Sequence, residues 1–254
     1  MAKIANAYYS QVHAKTIRID GKRIAQQIIA CIKHCFPSLQ LTTSEVLDIG
    51  GSSGAIAYHL AANVKNIISI DVDRHAYSHG VKKYRKGNFS LRLFDGIKLP
   101  FPGGSFDIVI FRRAYGSIDD PNAMTREIWR VLKSGGVCYF EGHNKLFFYE
   151  NDHRIPTLTI LPDILAKNLV LFIKRKKSYY IERYKTYWGI QKMFSSFTIH
   201  KVTAEIVKNP KKFSFKRLYN LGLLTKYIPL SLLKLAEPFL YPDFIWLLKR
   251  EYPQ

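Results

Sequence analysis

Hydrophobic positions along the chain change period in a regular way. Val46, Leu47 and Ile49 make a short apolar run suited to a strand buried on both faces. The cluster Gly50-Gly51-Ser52-Ser53-Gly54 forces a tight turn, after which residues 55–62 resume at helical period. Upstream, Ile24, Ile28, Cys31, Ile32 and Cys35 mark one buried helix face that ends near Phe36 and Pro37, and residues 1–44 read as helical. Downstream, residues 66–71 read as a second strand, 74–85 as a helix, 89–94 as a third strand, and 95–111 as a proline and glycine loop leading into a fourth. Pro121 opens a helix with Ala123, Ile128, Val131 and Leu132 inward; Ser134-Gly135-Gly136 is expected to end it, and Val137 to Phe140 to form a fifth strand. Strands alternating with helices at this spacing predict an α/β fold, a doubly wound and mostly parallel sheet.

The chemistry-bearing residues fall where such a sheet binds ligands. A glycine turn lets backbone approach a ligand with no Cβ between them and aims the N–H groups of the following helical turn at it. Asp71 closes the second strand about 20 residues beyond Gly50, the spacing at which nucleotide-binding α/β folds place an acid against ribose hydroxyls. Asp95 closes the third, placed to accept from the exocyclic amine of a base. All three features belong to the carboxyl edge of the sheet.

Charge changes the picture most. The net charge is +20, and from Ala166 to Gln254 there are 18 Lys and Arg against 5 Asp and Glu, an excess of +13. Such an imbalance points to nucleic acid, anionic lipid or another acidic partner, or to a lysine-rich solvated surface. Three cysteines do not make a disulfide framework, and Cys31 and Cys35 share the apolar stripe of a helix, so core packing is expected rather than a metal site. No run of about 20 apolar residues and no signal-peptide pattern is found, so the expected location is cytoplasmic.

Four motifs in order, Val46 to Gly54, Ile70-Asp71, Leu99 to Val109 and Glu127 to Gly136, give the chain its resemblance. It resembles a class I S-adenosylmethionine-dependent methyltransferase of the branch that includes the ubiquinone and menaquinone biosynthesis enzymes. The resemblance covers about residues 40–143. It implies S-adenosyl-L-methionine as cofactor, with the Asp48 to Gly54 loop (Asp48, Gly50, Gly51, Ser52, Gly54) at its methionine end. Asp71, beside Val72, would hold the ribose, and Asp95, beside Gly96, would meet the adenine amine. Ile97 and Phe111, Arg112 and Arg113 would line the pocket. Two residues depart from the pattern: Ser52 stands where the middle glycine is usual, and Ser134 where proline is.

The same architecture implies a seven-stranded sheet with a helical insertion between strands five and six. The expected layout is then 1–44 an N-terminal helical segment, 45–143 the cofactor-binding core, 144–193 a helical cap, and 194–254 the last strands with amphipathic basic helices. Phe197 to Val207 would be strand six and Phe244 to Leu248 an antiparallel strand seven. Residues 213–241, leucine-rich with scattered lysines, suit either a membrane interface or ordinary cap helices.

Methyl transfer needs an acceptor nucleophile held in line, with a base where the acceptor carries a proton. Candidates are Glu141 and His143 at the end of the fifth strand, and Glu150, Asp152 and His153 just after it; His143 is preferred because an imidazole titrates near neutrality. No Asn-Pro-Pro-Tyr type motif follows strand four, Arg112 and Arg113 stand where a metal-dependent catechol site needs an acid, and Cys138 lies inside a strand. The leading expectation is therefore a metal-free enzyme acting on a small-molecule, glycan or lipid-headgroup acceptor, in contact with an anionic membrane. One alternative is an RNA methyltransferase, motivated by Tyr179, Tyr180, Tyr184, Tyr187 and Trp188 among basic residues. The other is a cofactor-binding protein without transfer activity.

Overall fold

The computed structural model describes residues 20–147, 158, 161–174 and 183–251. The described elements in order are α1 (Gly21–Cys35), β1 (Glu45–Ile49), α2 (Ala55–Leu60), β2 (Asn66–Asp71), α3 (Arg74–Lys83), β3 (Phe89–Leu93), β4 (Phe106–Arg112), α4 (Pro121–Val131) and β5 (Leu132–His143). They continue with α5 (Asp163–Lys174), α6 (Tyr187–Met193), β6 (Thr198–Lys201), α7 (Thr203–Lys208), α8 (Tyr219–Thr225), α9 (Leu230–Leu240) and β7 (Asp243–Lys249). The strands form one seven-stranded sheet in the order β3-β2-β1-β4-β5-β7-β6. β1 to β5 pair in parallel, and β7 runs antiparallel to both β5 and β6.

Unbroken apolar runs form strands here because both faces of the sheet are covered. Val46, Ile108, Ile110, Val137 and Tyr139 point to one face and meet Ile24, Ile28, Cys31 and Ile32 of α1 and Ala57 and Leu60 of α2. Leu47, Ile49, Val109, Cys138 and Phe140 point to the other and meet Ile128 and Val131 of α4 and Ile190 of α6. The Cys31 and Cys138 thiols are buried in these cores, and burial pushes the Cys138 thiol well above its ordinary range. Among the described residues no group of three or more metal-ligating side chains assembles. α1 starts where the Asp20 carboxylate accepts from the Arg23 N–H at 3.0 Å and stops just before Pro37.

The expected class, a doubly wound, mostly parallel sheet, is the one observed, and α5 and α6 lie between β5 and β6 as the helical insertion. Two elements differ. β5 starts at Leu132, five residues early: α4 ends at Val131, and the serine-glycine run expected to stop the helix is instead an irregular opening to the strand. There Gly135 adopts φ 77°, the β4–β5 register shifts between Phe106 and Ile108, and Gly135 and Gly136 exchange backbone bonds with Arg250. Glycine in a strand marks such a bulge. The sixth strand is four residues long, and the rest of 197–207 is largely α7. The Thr203 hydroxyl accepts from Ile245 N–H at 3.0 Å and occupies the β7 edge, so the ladder ends and the chain turns into a helix.

Candidate functional site

Strand order reverses between β1 and β4, and the crevice outside that point is where open α/β sheets hold ligands. The carboxyl ends of β1, β2, β3, β4 and β5 place the glycine turn, Asp71, Asp95, Arg112 and His143 along this one rim; Leu93, the last residue of β3, is in register with Asp71.

The turn after β1 is pressed onto its neighbours. Gly50 and Gly51 N–H both donate to Ile70 O, at 2.9 and 3.2 Å, Gly54 N–H donates to Gly51 O, and Ser52 N–H donates to the Asp71 carboxylate at 2.6 Å. A Cβ on Gly51 would sit 1.9 Å from Ser69 Oγ and 2.2 Å from an Asp48 oxygen, and one on Gly50 2.7 Å from Ala114 Cβ. The N–H donors of these four turn residues, which precede the helix, are used inside the fold. A Cβ on Gly54 would likewise sit 2.7 Å from Phe89 Cζ, so all three glycines are demanded by close packing within the fold.

Ser52 occupies its position at a cost. Its φ is +54°, in the left-handed region that favours glycine. Ser52→Gly is expected to relieve that strain and raise stability by about 0.5–1 kcal/mol, read as a melting temperature roughly 2 °C higher. A lower melting temperature would mean that the serine hydroxyl contributes more than its backbone costs.

Asp71 is held from both sides, by Ser52 N–H and by Asp73 N–H at 2.8 Å. An ionised carboxylate has about four lone-pair sites, so a rim acid oriented this way suits a ligand bearing adjacent hydroxyls. Val72, Asp95 and Gly96 are exposed beside it and Ile97 is half-buried. Two acids, Asp71 and Asp95, on one rim beside the glycine turn fit a ligand that carries hydroxyl and amine donors.

Two of the expected site residues are placed differently. The Asp48 side chain lies beneath the turn, 3% exposed, accepting from Ser69 Oγ at 2.8 Å. Phe111 is fully buried against Phe140, so its ring belongs to the core rather than to a pocket wall. Burial pushes the Asp48 carboxyl up to about 6, with Ser69 opposing and the Asp71 charge adding to the rise. Because this folded-state value lies above that of the unfolded chain, the native state binds the extra proton between about pH 4 and 6. Stability therefore falls as pH rises through that window, by up to roughly 3 kcal/mol. Asp48→Asn is expected to abolish this slope and raise the neutral-pH melting temperature by roughly 5 °C, measured by thermal melts from pH 4 to 8.

A buried ionic network closes the other end of the rim. Glu141 accepts from Arg112 Nε at 2.8 Å and from Arg113 Nε at 2.6 Å; Arg113 also donates to Asp243 at 2.7 Å, and His143 Nδ1 pairs with the second Asp243 oxygen. Tyr115 donates to His143 O at 2.6 Å and accepts from Lys185 N–H at 3.0 Å. Arg113 holds φ +51° with two carboxylates fixing its side chain. Burial opposes ionisation of Glu141, but Arg112 and Arg113 outweigh it and hold the carboxyl below its usual range. Glu141 is thereby removed as a candidate base. Asp243 is likewise opposed by burial and brought down, by Arg113 first and then His143, to about 2. Arg112 and Arg113, expected to line the cofactor pocket, spend these bonds on the network. Asp243 was missed: it opens β7, one hundred residues from its register partner His143, and no local pattern joins the two. Glu150, Asp152 and His153 lie outside the described residues.

Of the aromatic series, Tyr184 packs on His143 and Tyr115, and Tyr187 on Phe244 and Trp246. These two rings are half-buried and packed on other side chains, whereas Trp188 is 52% exposed and meets Phe239 edge-on. Tyr179 and Tyr180 lie outside the described residues.

Comparison with known proteins follows the same outline. Residues 47–140 match the family described as a methyltransferase domain. A ubiquinone/menaquinone biosynthesis C-methyltransferase from Desulfotalea psychrophila is 29% identical over 96 residues, 37% of this chain and 39% of that one. A demethylmenaquinone methyltransferase from Lactococcus lactis is 29% identical over 142 residues, 51% of this chain and 56% of that one. The chain thus spans about half or less of the length of these relatives. Among solved structures, the YcgJ protein of Bacillus subtilis superposes with a TM-score of 0.54 at 18% identity, covering 90% of this chain and 99% of that one, which shows a shared fold.

Proposed function

We propose that this chain, which carries a class I S-adenosylmethionine-dependent methyltransferase domain, moves a methyl group from S-adenosylmethionine to a small-molecule acceptor. The observation that carries the reading is Asp71, a rim carboxylate clamped by two backbone amides beside the point where strand order reverses. The bound cofactor supplies an electrophilic methyl on a sulfonium. When it is bound, Asp71 would accept from the ribose hydroxyls, Asp95 from the adenine amine, and the turn from Gly50 to Gly54 would hold the methionine end. Asp48, ionised above about pH 6 beneath the turn, adds negative potential that favours a cationic ligand.

His143 is the proposed base. Its Nδ1 pairs with Asp243, which makes Nε2 the basic nitrogen, and Arg113 keeps Asp243 ionised so that the ring orientation is fixed. The acceptor is proposed to belong to the class named for the two relatives, a quinone-type ring; a glycan or lipid headgroup is the broader form of the same reading, met at an anionic membrane surface. The packing of Tyr184 and Tyr187 on other side chains weighs against the RNA alternative.

Calorimetry with S-adenosylmethionine, followed by transfer of labelled methyl into fractionated cell extract, tests this. Micromolar binding with label in the small-molecule or lipid fraction is expected. Label in RNA would overturn the acceptor assignment, binding with no label in any fraction would favour the inactive alternative, and absence of binding would overturn the reading altogether.

A further inference from the structure

The helices α8 and α9 are turned inside out for a water-soluble surface. On α9, Leu232, Leu235 and Phe239 are spaced so as to share one face and are 55%, 75% and 56% exposed. The helix's one carboxylate, Glu237, is instead 1% exposed and accepts from Trp246 Nε1 at 3.0 Å. On α8 and just after it, Leu224 and Tyr227 are 73% and 80% exposed. A surface helix ordinarily buries its leucines and shows its acids. Here the acid faces in beside Leu233, the one buried leucine of α9, while Leu224, Leu232, Leu235 and Phe239 face out, the mark of a surface that meets an apolar phase.

Charge identifies the phase. Residues 206–236 contain seven Lys and Arg and no Asp or Glu; Lys211, Lys212, Lys216 and Lys226 are exposed, and Lys234, also exposed, pairs with Glu205 at 3.6 Å. A second copy of this chain meeting the same face across a two-fold axis would bring these cations against their own equivalents. An anionic bilayer accepts both halves of the surface, leucine side chains among acyl chains and ammonium groups on headgroups.

Position ties the surface to the rim. Asn144, the residue after His143, donates from Nδ2 to Pro238 O at 2.9 Å and to Tyr241 O at 3.0 Å, fixing the end of α9 beside the proposed base. We infer that the α8–α9 pair is a membrane-docking element that seats this chain on an anionic bilayer with the His143 end of the rim at the interface. This rests on the membrane part of the proposed function and supplies the surface and its orientation.

Flotation of the full chain with phosphatidylcholine vesicles, with and without phosphatidylglycerol, tests it. Binding at least tenfold stronger to the anionic vesicles is expected, and weaker in high salt. Leu224→Asp with Leu235→Asp is expected to reduce it more than tenfold, and Lys216→Gln with Lys226→Gln about 25-fold, at about fivefold per lysine. Melting temperature and S-adenosylmethionine affinity should stay unchanged in both variants, which separates a docking role from misfolding. No flotation, equal flotation on neutral vesicles, or undiminished binding by both variants would overturn the inference. So would a dimer in sedimentation that the aspartate pair dissolves, because a second copy would then cover the face. Since flotation requires no turnover, loss of docking with intact cofactor binding removes this inference alone, and loss of cofactor binding with intact docking removes the transferase reading alone.

Discussion

Asp71→Ala is expected to raise the dissociation constant for S-adenosylmethionine by about 100-fold or more. Two hydrogen bonds from ligand hydroxyls to an ionised acceptor are each worth about 1.5–3 kcal/mol, and about 1.4 kcal/mol is a factor of ten. The same substitution strips the acceptor from Ser52 N–H and Asp73 N–H, so the glycine turn keeps only its Gly50 and Gly51 bonds to Ile70 O as ties to β2, and stability falls by about 1–3 kcal/mol. Asp71→Asn keeps an oxygen for one amide but not the charge, and should fall between the alanine variant and the parent in both measurements. Calorimetry and a thermal melt on the same samples separate the two effects. An alanine variant that binds as the parent does would remove the ribose-holding role and with it the main support for the cofactor site.

Glu141→Ala should be the most destabilising single change at the rim, by about 3–5 kcal/mol, lowering the melting temperature by roughly 10 °C. Glu141 is 5% exposed between two guanidinium groups; removing it leaves Arg112 without its carboxylate and Arg113 with only Asp243. The acid dependence runs opposite to that of Asp48. Glu141 and Asp243 have folded-state values below those of the unfolded chain, so their contribution is complete above about pH 4. It is lost as pH falls, toward about 2 for Asp243. A melt series below pH 4 should therefore show the parent losing stability steeply and Glu141→Ala losing less. Equal slopes would mean that the Glu141 carboxyl is not held below its unfolded-chain value by the two arginines.

Local signals made much of this legible in the chain itself. The glycine turn between Ile49 and Ala55, the acid closing β2 and the apolar stripe of α1 each rest on residues within a few positions of one another. Backbone sterics and hydrophobic period act over that range. Where the pattern misled, a distant partner had intervened. Gly135 and Gly136 look like a helix stop until Arg250 joins them to the sheet, and the run after Lys201 looks extended until the Thr203 hydroxyl takes the β7 edge. Glu141 looks like a base until two arginines from the neighbouring strand's end neutralise it.

By itself, then, the sequence determined the order of strands and helices, the rim on which acids collect, and the excess of cationic charge near the C-terminus, because each depends on residue type and spacing alone. Which carboxylates face a ligand and which serve the scaffold was decided only by tertiary structure. Asp48 sits under the turn, Asp243 reaches His143 across the β5–β7 pair, and Glu237 turns inward while Leu235 turns out. The reason is physical: burial and charge pairing are set by what lies within a few ångströms in space, and the antiparallel return of β7 brings together residues one hundred positions apart.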